Sequence, residues 1–447
     1  MSNIIIIGGG ISGLSTLHFL KKKYAGRSEI DIKLLEKNDY AGGTIRSIER
    51  NGCFFETGPD GFLNNKPRTL DFIEEIGLRK DLIKARPEAK VRFISLKNRL
   101  YPLPANPKDF LISSLLNPLD KMRILGEILI PKCSNPQESI FDFGQRRLGK
   151  KFAKIFLDAM VSGIYGGDAH QLNLKAAFPR IYALEQEYGS LFKAMFALKG
   201  KGGMPEGVLT SLNNGMGEIV QILSQKYKEN ILLKTEVKSM AMVSGGFKVE
   251  SSKETFWANE IFLCSPAYST ASIVKNSNPK MAALLEGIYY APMAVVGLVF
   301  ALKDFKQKPR GFGFLVPSSE KKAVLGVLFE SNIFPGRCPE DHILFRVMIG
   351  GSHFPDILKK SREELTQMAV HEIKNYFFIP QAPKETFFVV WPRAIPQYDA
   401  KYVQILSSLE EELKDIPNLH VVSNFLKGIA MNDCIENAYQ VAQKSYL

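Results

Sequence analysis

NIIIIGGGISGLSTLHFLKKKY, from Asn3 to Tyr24, and IDIKLLEK, from Ile30 to Lys37, decide how the chain begins to fold. The β-branched run Asn3–Ile7 predicts a buried strand. A glycine turn follows, then a segment whose apolar residues recur at helical spacing, then a second apolar strand that ends on an acid. Strand, glycine turn, helix and strand make a Rossmann-type βαβ unit. Gly8, Gly10 and Gly13 fit GxGxxG. The first permits the tight turn, the second lets backbone approach a pyrophosphate, and the third lets the helix pack on the strand. Gly9, Ile11 and Ser12 complete the turn, where free N–H groups and the helix dipole favour anions. Glu36, with Lys37 after it, stands where a ribose-hydroxyl acceptor is expected. These residues predict binding of an ADP moiety.

The 447 residues exceed one compact core, so two or three domains are expected. A hydrophobic content of 45% with 23% charged residues predicts a folded chain throughout. The formal charge of +12 suits nucleic acid, an anionic membrane or acidic small molecules. Scattered basic residues and the lack of a reader motif argue against nucleic acid. Cys53, Cys133, Cys264, Cys338 and Cys434 are odd in number, far apart and form no CxxC pair. That predicts no disulfide framework and a reduced, intracellular protein. The six histidines show no HxxH or HExxH spacing, so no metal site is expected. The apolar first twenty residues lack a basic leading segment, which argues against a signal peptide. No uninterrupted run is long enough to span a membrane, and YYAPMAVVGLVFAL (Tyr289–Leu302) reads as a buried strand.

Further along, Arg86 to Met204 reads as mostly helical after the proline-rich LYPLPANPKDF. Short amphipathic segments such as FLISSLL lie beside a cationic side of Arg146, Arg147, Lys150, Lys151 and Lys154. GMGEIVQILSQKY, ILLKTEVKSMAMV and TFWANEIFLCSPA return to the first pattern. Ile288–Trp391 is dominated by strands, interrupted by the amphipathic helix REELTQMAVHEIKNYF. The tail LHVVSNFLKGIAMNDCIENAYQ reads as strand, glycine turn and helix. The nucleotide-type pattern thus comes in three separated pieces.

The pair Gly42–Gly43, with Thr44 and Arg46, follows the acid as in a large FAD family that includes amine oxidases and phytoene desaturases. FETGPDGFL (Phe55–Leu63), VSGIYGGDAHQL (Val161–Leu172), GFGFLVPS (Gly311–Ser318), WPRAIPQY (Trp391–Tyr398) and LKGIAMNDCIENA resemble oxygen-dependent protoporphyrinogen oxidases over essentially the whole chain. The resemblance implies an α/β fold with an α+β insert. A discontinuous Rossmann-type FAD-binding domain would take 1–85, 208–275 and 392–447. A helical, membrane-facing insert would take 86–207, and a mixed-sheet substrate domain 276–391. It also implies non-covalent FAD, with Gly58, Pro59, Asp60 and Gly61 against the isoalloxazine and Trp391 meeting the flavin. Val237 would read the adenine, and Ile429, Ala430 and Met431 would lie near the pyrimidine ring. Arg92 matches an arginine that pairs with a substrate propionate. Leu315, Leu328 and Met348 match residues flanking the macrocycle, and Gly163 a glycine beside the reacting ring.

The implied reaction is six-electron oxidation of protoporphyrinogen IX by dioxygen, releasing hydrogen peroxide, with no side chain as catalyst. Coproporphyrinogen III is the close alternative, with Lys66 available for an additional propionate. A flavin amine oxidase and a non-enzymatic binder on the scaffold of GDP-dissociation inhibitors are more distant ones. Implied partners are an anionic membrane on its cytoplasmic face, a downstream chelatase and a second copy of the chain.

Overall fold

The computed structural model describes residues 2–199 and 207–447. The β-branched start forms the strand Ser2–Ile7, central to a five-stranded sheet. Ile30–Leu35 and then Ile231–Leu232 lie on one side, Glu260–Leu263 and then Leu419–Val421 on the other. All four pairings are parallel. Side chains alternate across such a strand. Ile4 and Ile6 therefore pack with Leu14, Leu17 and Leu20 of the Ile11–Lys23 helix and Ile435 of the Met431–Ala442 helix. Ile5 and Ile7 face the opposite layer, where Phe247 and Val249 come from a three-stranded antiparallel sheet. Both faces are covered, as a parallel sheet requires.

A second sheet has seven strands, ordered Glu385–Pro396, Tyr290–Ala301, His342–Gly350, Val324–Phe329, Gly313–Leu315, Arg92–Leu96 and Arg99–Pro102. Every residue of Tyr290–Ala301 is buried, so this strand too is covered on both sides. On one face Ala294, Val296, Leu298 and Phe300 meet Leu365, Ala369 and Ile373 of the Arg362–Phe377 helix. On the other, Val295 and Val299 meet Cys53, Phe55 and Phe387. Phe55 lies so close that a Cβ on Gly297 would stand 2.6 Å from its ring.

Three expectations are corrected. The segment 92–102 falls in the block that reads as mostly helical, yet it forms a hairpin that extends the seven-stranded sheet through a parallel pairing with Gly313–Leu315. Its proline-rich flank conceals a pairing partner more than 200 residues away. Arg146 and Arg147 do not belong to an exposed cationic side. Arg147 is 0% exposed and pairs with Glu127 at 2.8 Å and Glu185 at 2.6 Å, while Arg146 pairs with Glu138 at 2.7 Å. Lys150, Lys151 and Lys154 are exposed as expected. Cys53 and Cys338 form a disulfide with 4.2 Å between their Cα atoms, because the fold joins cysteines 285 positions apart. The end of the helical block at Met204 lies outside the described residues.

Candidate active site

The glycine turn is built as its spacing predicts. A Cβ on Gly13 would stand 1.9 Å from the Gly8 carbonyl oxygen, so helix and strand touch backbone to backbone. Gly8 has φ +108°, and its Cβ would press on Cys264 and Ser265. In front of Gly10 a Cβ would meet nothing within 4 Å. Gly42 donates its N–H to the Gly9 carbonyl at 2.7 Å, and Gly43 lies against the Gly10 Cα. The second glycine pair is therefore stacked on the first turn.

Glu36 is buried and accepts from the Gly9 N–H at 2.7 Å and the Asn38 N–H at 2.9 Å. Lys37 is exposed. Thr235 donates to the Glu36 carbonyl, which brings Val237, two residues on, towards the same strand end. Ile11, Ser12 and Met431 lie at the starts of the two helices beside this turn, with Ile429 and Ala430 just ahead of the second. Neither helix start carries a side-chain cap, at Gly10 or at Ala430. Open space at Gly10 and two uncapped sets of N–H donors fit an ADP moiety and a flavin ring edge.

The loop Thr57–Gly61 is held from three directions. Thr57 bonds to the carbonyls of Thr44 and Arg46, and a Cβ on Gly58 would stand 2.2 Å from the Thr44 carbonyl oxygen. Arg46 is exposed and stacks over Tyr40. Trp391 donates its indole N–H to the Thr57 carbonyl at 2.8 Å. Ser211 donates to the Asp60 carbonyl at 2.7 Å, and Gly61 abuts Thr210.

The expected substrate residues share one face of the large sheet. Arg92 pairs with Gly313, Gly313 with Leu328, and Leu328 with Arg346. Two residues along, Ile94, Leu315, Gly326 and Met348 form the next row. Paired residues point to one side of a sheet, and residues two apart do too. Their neighbours Phe314, Val327 and Val347 point the other way, into the core under the Arg362–Phe377 helix. Gly163, in the Asp158–Tyr165 helix, lies over this face. A Cβ there would stand 2.5 Å from Leu315 Cδ2. Arg92 is exposed at the rim, stacked over Phe312 at 4.7 Å.

The family model described as flavin containing amine oxidoreductase matches residues 11–444. The chain belongs to this family. It is an FAD-dependent oxidoreductase. The chloroplast protoporphyrinogen oxidase of Nicotiana tabacum is 27% identical, covering 98% of this chain and 84% of that protein. The coproporphyrinogen III oxidase of Bacillus subtilis is 23% identical, covering 97% and 96%. A crystal structure from Exiguobacterium, provisionally named protoporphyrinogen oxidase, superposes with a TM-score of 0.84 at 22% identity, covering 99% and 98%.

Charged groups beneath the loop of this flavin oxidoreductase escaped the sequence reading. Arg346 is 6% exposed; one amino group donates to the Gly58 carbonyl and the other lies 3.5 Å from Glu330. Arg337, fully buried, donates to Ser211 at 2.6 Å and faces Glu56 at 3.9 Å. Glu56 accepts from Ser47 and from the Met216 N–H. Burial raises the proton affinity of Glu56, against the pull of Arg337 and these hydrogen bonds. The one sequence signal was a lone arginine inside the apolar strand ILFRVMIGG.

Proposed function

We propose that the chain oxidises protoporphyrinogen IX to protoporphyrin IX, a step of haem biosynthesis, with dioxygen as acceptor and hydrogen peroxide as product. The single sheet face carries this reading: aliphatic Leu315, Leu328 and Met348 beside the Thr57–Gly61 loop, with Arg92 at its rim. A tetrapyrrole with propionates at one edge needs apolar walls along the macrocycle and a guanidinium for a carboxylate. The names of the relatives support the same class of substrate. When bound, FAD supplies the hydride acceptor and passes the electrons to dioxygen. In this reading the residues of the Gly8–Gly13 turn, with Gly42–Gly43, hold the phosphates, and Glu36 takes the ribose. Gly58–Gly61, Trp391 and Ile429–Met431 frame the ring, and Gly163 sets how near the substrate comes. Three pieces, 1–85, 208–275 and 392–447, make the flavin domain. The hairpin 92–102 serves the substrate sheet.

Anaerobic mixing of the holoenzyme with each porphyrinogen tests the proposal. Protoporphyrinogen should bleach the flavin faster than coproporphyrinogen, and the reverse order would overturn the choice between them. Arg92→Ala should raise KM tenfold or more, since a charge-assisted hydrogen bond contributes about 1.5–3 kcal/mol. Flavin content should not change, and an unchanged KM removes Arg92 from the site. Gly163→Ala should lower turnover by pushing Leu315 into the substrate space. Leu315→Ala in the same chain should restore part of the loss, which steady-state kinetics of the double variant will read. Burial pushes the Cys434 thiol up to about 11, which makes it a poor nucleophile for a covalent flavin link. Denaturation should therefore release the flavin into the supernatant.

The site of action is proposed as the cytoplasmic face of an anionic membrane. Leu111, Ile112, Leu119, Met122, Leu125 and Leu129 are exposed along one stretch, where Lys121 donates to the Leu111 carbonyl and Lys151 pairs with Asp120. An apolar face flanked by cations suits in-plane attachment. Among the described residues, no helix is long and apolar enough to cross a membrane. Co-sedimentation with anionic but not zwitterionic vesicles would support this. A chelatase taking the product and a second copy of the chain are further partners that the resemblance implies.

A further inference from the structure

Glu330 opens the short helix Glu330–Ile333, directly after the strand that carries Leu328. The residue is 2% exposed, and among the described residues neither carboxylate oxygen accepts a hydrogen bond. Arg346 faces it at 3.5 Å without hydrogen-bond geometry, and the same guanidinium donates to the Gly58 carbonyl. Two residues on, Asp60 Oδ2 is also buried without a partner. Glu56 and Arg337 complete the group. From the adjoining turn Pro87–Lys90, Glu88 and Lys90 point to solvent and Ala89 packs inward.

Three carboxylates therefore confront two guanidiniums, and one bound proton makes the group neutral. Glu56 already has its hydrogen bonds, and Asp60 sits in the loop itself. Glu330 has none to lose by taking the proton. Burial first, and then the Asp60 charge, push its carboxyl up to about 8, against the pull of Arg346 and Arg337.

We infer that Glu330 is a redox-linked proton acceptor, loaded when the bound flavin is reduced and emptied when dioxygen is reduced. This rests on the reading of Gly58–Gly61 as the loop against the flavin ring. Each two-electron step removes one hydride and one proton from the porphyrinogen. The hydride brings one negative charge to the ring, and the Glu330 carboxylate takes the proton. Reduction of dioxygen to hydrogen peroxide then uses both electrons and two protons, one carried with the hydride and one from Glu330. Asp60 and Arg346 couple the two events through the loop, since a new negative charge there strengthens proton binding at Glu330.

The test is spectroelectrochemical titration of the holoenzyme between roughly pH 6 and 10, with no porphyrinogen present. The slope of flavin potential against pH gives the protons bound per electron pair. Around pH 9 the wild type should bind up to one proton more per pair than Glu330→Gln, and Glu330→Asp should keep that proton. Superimposable slopes for wild type and Glu330→Gln would overturn the inference. If Glu330→Gln fails to hold flavin, the wild type alone decides. Its reduced-minus-oxidised infrared spectrum at pH 9 should gain a protonated-carboxyl band, and its absence would overturn the inference. A merely structural glutamate would move neither readout. Failure of the porphyrinogen reading would leave both unchanged, because the electrons come from an electrode.

Discussion

Gly13→Ala should abolish flavin binding and lower the melting temperature of the whole chain. The added methyl would stand 1.9 Å from the Gly8 carbonyl oxygen and 3.1 Å from its carbon, both backbone atoms in the tight turn. No rotamer relieves that contact. The Ile11–Lys23 helix would have to lift from the central strand, yet Leu14, Leu17 and Leu20 on its inner face are fully buried. Separating packed aliphatic side chains costs about 1 kcal/mol for each methylene-sized gap. The lift also re-aims the N–H groups that would receive the pyrophosphate. Gly10→Ala separates the two effects. Its Cβ meets nothing within 4 Å, so stability should stay near the wild-type value. The methyl nevertheless occupies the space proposed for the phosphates, and flavin content should fall at least tenfold. Visible absorbance of the purified variants and thermal melts read both quantities. A Gly10→Ala protein that retains stoichiometric flavin would remove this turn from the cofactor site.

Those two glycines also show why one part of the molecule was legible in the sequence. The turn, its helix and the flanking strands are contiguous, and each residue type answers a local steric demand. The long strands between Tyr290 and Pro396 were legible for a similar reason, since unbroken β-branched runs have few other ways to fold. What stayed hidden depends on contacts between distant segments. Arg146 and Arg147 follow one another on a helix and read as part of a cationic side. Only the folded chain brings Glu127, Glu138 and Glu185 around them. The 92–102 hairpin joins the large sheet through Gly313–Leu315, a partner that no local period announces. Cys53 and Cys338 look isolated until the turn before the His342–Gly350 strand meets the start of the Cys53–Glu56 strand. Arg92, Leu315, Leu328 and Met348 were singled out by resemblance alone. Their common face follows from register, which a single sequence does not display. Arg346 carried a weaker signal still, a single charge inside an apolar strand, and Glu330 carried none.

Arg147→Met should destabilise the helical block more than any substitution on its surface. Arg147 is fully buried. Beyond its two carboxylates it donates to the carbonyls of Ile130 at 2.9 Å and Gly189 at 2.7 Å. Removing it leaves Glu127 buried without its cation, together with two unpaired carbonyls. Breaking a buried pair in this way costs about 3–5 kcal/mol. Glu185 keeps Arg146 at 2.9 Å, so the loss concentrates on Glu127. That carboxylate also accepts from Ser190 and from the Leu191 N–H at 3.0 Å, which ties the Leu191–Lys199 helix to the block. Desolvation opposes the ionised form of Glu127, but these hydrogen bonds and Arg147 outweigh it, and its proton affinity is lowered. A carboxyl lowered on folding contributes stability above its unfolded value, and that contribution is lost as pH falls through the folded one. The wild-type block should therefore loosen in acid, and Glu127→Gln should weaken that dependence. The parallel sheet makes none of these contacts, so Arg147→Met should still bind flavin. The helix that carries Gly163 stands in the same block, and porphyrinogen oxidation should fall while flavin content holds. Limited proteolysis at neutral pH should cut the variant between Pro118 and Lys199 before the rest of the chain. Equal protection of variant and wild type would show that the buried guanidinium does not hold these helices together.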